Sequence, residues 1–76
     1  MFHVFAKVTT PVGVFTGYAS SDLDSAEQAN GERDGIQEML RNCDSFTFFS
    51  DSDPGSEITL GRTVIDTSVF ELSVIG

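Results

Sequence analysis

The chain reads as an α+β domain, a two-layer ββαβββ arrangement in which one helix covers one face of an antiparallel sheet. Three observations predict this. Residues 20–42 hold the one stretch with helical periodicity, and the segments on either side alternate apolar and polar with the period of a strand. Short runs of turn chemistry, Thr10-Pro11-Val12-Gly13 and Asp51-Ser52-Asp53-Pro54-Gly55-Ser56, join strands in the way antiparallel neighbours need. With 76 residues the chain makes one domain, residues 1–76, and leaves no room for a cleft between domains.

From Phe2 to Thr9 the alternation places Phe2, Val4, Ala6 and Val8 on one face and His3, Phe5, Lys7 and Thr9 on the other. The first set is the expected core face. Pro11 presets its φ for a turn and Gly13 tolerates a positive φ, so Val14 to Ala19 returns as the second strand.

On a helix turning about 100° per residue, Asp24, Glu27, Asp34 and Glu38 share one side, while Ala26, Ala29, Ile36, Leu40 and Cys43 gather on the other. Ser21, Asp22 or Asp24 is expected to cap it, with a start between Asp22 and Ser25. Acidic residues in the first turn and Arg41 in the last suit the helix dipole. Gly31 and Gly35 each cost about 1 kcal/mol relative to Ala inside a helix. Either the helix is locally weak and breaks near Asn30-Gly31, or the two glycines form a face that a partner or a second copy approaches.

Ser45 to Ser50 is the third strand, with Phe46 and Phe48 on one face and Thr47 and Phe49 on the other. Glu57 to Leu60 is the fourth. Gly61 to Ser68 is a crossing connection with one 3₁₀ turn, and Val69 to Ile75 closes the sheet with Phe70, Leu72 and Val74 facing one way. Seven Phe are more than one helix can cover, so Phe5, Phe15 and Phe49 are expected on the second sheet face. An apolar face left open marks a partner or a second protomer.

Charge narrows the function classes. Four Lys or Arg stand against twelve Asp or Glu, a net charge of −8. A chain this acidic is not built to bind nucleic acid or an anionic membrane directly, since both require a basic surface. No apolar run approaches the roughly 18 residues of a membrane span. A lone cysteine, Cys43, forms no internal disulfide and suits a reducing compartment. The opening MFHVFAKV alternates like a strand and lacks the basic start and apolar core of a signal peptide, so a cytoplasmic setting is expected.

Candidate chemistry is sparse. Asp51, Asp53 and Glu57 resemble the start of a calcium loop, but the positions where an EF-hand needs Gly and Glu hold Ser56 and Arg62. His3 and Cys43 are each single, too few for zinc, and a Cys-His pair has no supporting motif. With no nucleophile, phosphate-loop or dinucleotide motif, the expectation is a protein without enzyme activity and without a cofactor. Two binding constellations remain. The row Asp24, Glu27, Asp34 and Glu38 can meet a basic groove as a nucleic-acid strand does. Lys7, Arg33 and Arg62 can hold a phosphate if several protomers pool them at an interface.

The segment FTFFSDSDPGSEITLGRTVIDTSVFELSVI, Phe46 to Ile75, resembles the tail of small phage and prophage early-region proteins, in which a hairpin precedes a short ITL…V…SV(F/I) stretch and a last strand. In size and acidity the chain is also similar to phage-encoded inhibitors of bacterial defence, of the anti-CRISPR and anti-restriction kind. Those inhibitors share no fold or motif, so the resemblance assigns no residue a role. It implies an inhibitor acting in the host cytoplasm; the surface expected to contact a basic face of a host nucleic-acid-handling protein is the acidic row, and that expectation comes from the helical spacing of its carboxylates. The alternatives are a homo-oligomeric sponge for a small nucleotide signal, held by Lys7, Arg33 or Arg62, and an assembly protein that self-associates through the second sheet face.

Overall fold

The structure, a computed structural model, describes residues 1–53 and 55–76; Pro54, expected in the β3–β4 turn, lies outside the described residues. In chain order the elements are β1 (His3–Thr10), β2 (Gly13–Tyr18), α1 (Ala26–Met39), β3 (Ser45–Ser50), β4 (Glu57–Gly61), α2 (Arg62–Asp66) and β5 (Val69–Ile75). The five strands make one antiparallel sheet in the order β4-β3-β2-β1-β5. The α+β architecture is the one the sequence predicts.

Alternation decides the faces. Val4, Ala6 and Val8 are fully buried, as is Phe48 from β3, and Phe46 from β3 and Leu60 from β4 are buried beside them, while the residues between them face away. Ala29, Ile36 and Leu40 descend on this face from the helical segment. Each buried Val, Leu, Ile or Phe contributes about 1.5–3 kcal/mol relative to exposure. Phe46 stacks on Phe48 and meets Phe70 edge-on, at centroid distances of 5.6 and 5.8 Å.

One helix does not cover the sheet alone. α1 lies over β1 and β5, whereas the connection after β4 must cross from one sheet edge to the other, and its residues 62–66 coil into α2 above β3 and β4. Ile65 of α2 enters the core. The expected single 3₁₀ turn is therefore an α-helical turn with a packing role.

The start of α1 is also later than expected. Phe2 and Leu23 exchange two backbone hydrogen bonds, 2.9 and 2.8 Å, which hold Leu23 and its neighbours extended, so no helix can begin at Asp22. Ser25 is the N-cap in place of Ser21, Asp22 or Asp24. Its Oγ accepts the Gln28 N–H at 3.1 Å, and Gln28 Oε1 accepts the Asp24 N–H at 3.1 Å. This reciprocal arrangement is a capping box shifted by one residue at its return bond.

α1 runs unbroken through Gly31 and Gly35, because Ala29 and Ile36 anchor it to the core before and after them. Arg41 falls two residues past its end and Cys43 lies beyond that, so neither is on the helix. Phe15 is corrected as well. It pairs with Val8 across β1 and β2, which places it on the helix side against the core, while Phe5 and Phe49 take the open face.

Candidate functional site

The acidic row survives as three residues and a neighbour. Glu27, Asp34 and Glu38 lie within roughly 40° of arc on α1, opposite Ala29 and Ile36. All three are exposed, Asp34 and Glu38 to 68% and 73% of their side-chain surface. Asp24 is exposed too, but it precedes the N-cap and stands in the loop beside the row. Arg33 Nη2 approaches Asp34 at 3.4 Å and Arg41 Nη1 approaches Glu38 at 4.0 Å. Exposed pairs of this kind are worth about 0–1 kcal/mol, so they leave the row's field largely intact.

Among the described residues the cations do not converge within one chain. Lys7 stands on the open sheet face, in register with Glu71 of β5 and Thr16 of β2. Arg33 is on α1, on the opposite side of the sheet, half-buried at the edge of the core. Arg62 is occupied by the fold: Nε and Nη2 donate to Asp66 Oδ1 at 3.0 and 2.7 Å, and Nη1 donates to the Cys43 carbonyl at 2.8 Å. It ties α2 to the chain leaving α1.

The remaining candidates are placed as follows. His3 Nε2 lies 3.0 Å from Asp22 on the open face, and its ring is 5.3 Å from that of Tyr18. Cys43 packs against the core on the helix side, so the sheet separates the two members of the expected Cys-His pair. In the β3–β4 loop, Asp51 Oδ1 accepts the Thr16 hydroxyl at 2.8 Å and Asp53 Oδ2 accepts the Ser56 hydroxyl at 2.6 Å. These carboxylates are engaged in holding the hairpin.

The open face carries an aromatic row. Phe5 pairs in register with Tyr18, and Tyr18 with Phe49, which is 50% exposed. Val14, Val69 and Ile75 are exposed along the same face.

Sequence reasoning missed one further feature, a cleft of about 310 Å³ between α1 and β3, lined by Ala19, Gly31, Glu32, Gly35, Ile36, Met39, Ser45, Phe46 and Thr47. It exists because β2 and β3 share only two register pairs before β2 ends at Tyr18, and because the helix face above carries no side chain at its two glycines. The glycine spacing was the visible signal; the split in the sheet was not. Comparison with protein-family models, with curated proteins and with solved structures found no match.

Proposed function

We propose that this chain is a small, non-enzymatic binding protein whose acidic helix face docks on a basic surface of a protein that handles nucleic acid, in the manner of a phage-encoded inhibitor of a host enzyme. The observation that carries this reading is the exposed row Glu27, Asp34 and Glu38, presented on the outer side of a helix whose inner side is fixed in the core. A chain of net charge −8 is drawn to a cationic groove by the same long-range field that draws a nucleic-acid strand there. The test replaces Asp24, Glu27, Asp34 and Glu38 by Lys together. Host-extract nucleic-acid cleavage or binding should be inhibited by the wild-type chain, less so as salt rises, and not by the variant. Equal inhibition by both chains would end the reading.

Self-association through the open sheet face is a second reading, favoured by the exposure of Phe49, Val14 and Val69. Native mass spectrometry of the wild-type chain against Phe49→Lys separates it from the first. The nucleotide sponge has less behind it, since it needs Lys7 of one chain to meet Arg33 of another and Arg62 is committed to Asp66 and Cys43.

A further inference from the structure

The cleft beside α1 is the place where the sheet comes apart. Along β3 the Ser50 N–H donates to the Ser56 carbonyl on the β4 side at 3.0 Å, and the next N–H, of Asp51, points to the Thr16 carbonyl on the β2 side at 3.4 Å. Backbone groups of a strand alternate sides. Phe46, Phe48 and Ser50 therefore bond toward β4, and Ser45, Thr47 and Phe49 face β2. Phe49 finds Tyr18 there. Thr47, two residues earlier, would pair with Ser20, but the chain has already turned away: Ser20 Oγ accepts the Val4 N–H at 2.9 Å and Leu23 is bridged to Phe2. Among the described residues the Thr47 hydroxyl bonds Thr59 Oγ1 at 2.9 Å, while the Thr47 N–H and C=O open into the cleft without a partner strand.

The opposite wall is bare helix backbone. A Cβ built on Gly31 or Gly35 would meet nothing within 4 Å. Buried Phe46 and Ile36 and half-buried Ala19 complete the apolar lining, and exposed Glu32 adds a carboxylate.

We propose that this cleft takes an extended basic segment of a partner protein, which adds as a strand to the free edge of β3 at Thr47 and lies against the Gly31/Gly35 face of α1. A free donor and acceptor on one strand residue are matched by another strand backbone about 4.8 Å away, the pairing used in β-strand addition. A volume of about 310 Å³ admits that backbone with small side chains, and glycine opposite lets it approach. Charge selects the segment. Glu32 lines the cleft and the chain as a whole carries a net charge of −8, so Lys or Arg at alternating positions is favoured and a second copy carrying its own −8 is repelled. The proposal rests on the acidic-binding reading and names the contact that would give it shape.

The test is a backbone-amide NMR titration of the whole chain with short blocked peptides, one alternating Lys with Ala and one alternating Glu with Ala, at low and high salt. The Lys peptide is expected to shift the Ser45, Thr47, Gly31 and Gly35 amides and to slow hydrogen exchange at Thr47 by roughly tenfold or more. Gly35→Leu, which fills the cleft, should abolish these shifts while the chain still unfolds cooperatively. A Lys peptide N-methylated at alternate residues should do the same to the wild-type chain, with no change to its fold. Shifts confined to Glu27, Asp34 and Glu38 that persist in Gly35→Leu would overturn the cleft and leave the acidic reading standing. Equal binding of the Glu peptide would overturn the acidic reading itself. Concentration-dependent protection of Thr47 without peptide would make a second copy the occupant, and no shift with the Lys peptide at low salt would overturn the proposal outright.

Discussion

Gly17 and Phe49 approach so closely across the β2–β3 junction that a Cβ on Gly17 would overlap the Phe49 carbonyl oxygen and stand 2.8 Å from its carbon and 3.0 Å from the Phe48 ring. Backbone cannot move aside as a side chain can, so the junction requires glycine. Because only two register pairs join β2 to β3, this is also where the two halves of the sheet are most weakly stitched. Gly17→Ala is expected to lower stability by about 1–3 kcal/mol, the usual cost of overpacking. A chemical-denaturation midpoint unchanged from wild type would contradict the close approach.

Ser25 and Gln28 cap α1 for each other, with both bonds at 3.1 Å. Ser25→Ala should cost about 1 kcal/mol, the typical loss on removing an N-cap side chain. Gln28→Ala should cost less, since the bond it loses ties only the Asp24 N–H, which is exposed to water. A double-mutant cycle measures their coupling, and strict additivity of the two losses would mean that the return bond is not formed in solution.

How much of this was legible before the structure follows from the range of each signal. Period-two alternation is local, so β3 and β5 were readable at their observed bounds and the core face of β1 at Val4, Ala6 and Val8. The start of α1 was not, because Asp22 and Asp24 are good caps in isolation and what disqualifies them is the bridge from Leu23 to Phe2, far away in sequence. Phe15 was misplaced for a related reason. Its face is set by register against Val8, and the position of the turn that fixes this register is uncertain by a residue when read from Pro11 and Gly13 alone. The acidic row was visible as a period, whereas the cleft depends on where β2 stops pairing with β3, which no local pattern records.

The glycines of α1 make a prediction of opposite sign to Gly17. At Gly31 and Gly35 an added Cβ meets nothing, and both sit at exposed helical positions. Gly31→Ala and Gly35→Ala should each stabilise the fold by up to about 1 kcal/mol, through helix propensity and a less flexible unfolded chain. Thermal unfolding should move upward for each, and the two gains should nearly add if the helix is continuous between them. A helix broken at Asn30-Gly31 would instead lose stability on either change, which makes the pair a direct test of continuity.

Arg62 separates a structural cation from a ligand-binding one. A phosphate-holding residue can be removed with the fold intact, but Arg62 spans Asp66 and the Cys43 carbonyl with three hydrogen bonds, 2.7 to 3.0 Å, and so fastens α2 over the β3–β4 half of the core. Its side chain is about one-third exposed, which screens the ion pair with Asp66 and leaves the bond to the carbonyl as the larger contribution. Arg62→Ala is expected to destabilise by about 1–2 kcal/mol. Arg62→Lys should recover little of this, because an ammonium cannot reach both acceptors with the planar fork that a guanidinium presents. Arg33→Ala, by contrast, removes only a contact of 3.4 Å to exposed Asp34 together with some packing of its stem at the core edge, and should cost less. Unfolding midpoints for the three variants give the order directly: a loss at Arg33 larger than at Arg62 would show that α2 is held by Ile65 alone.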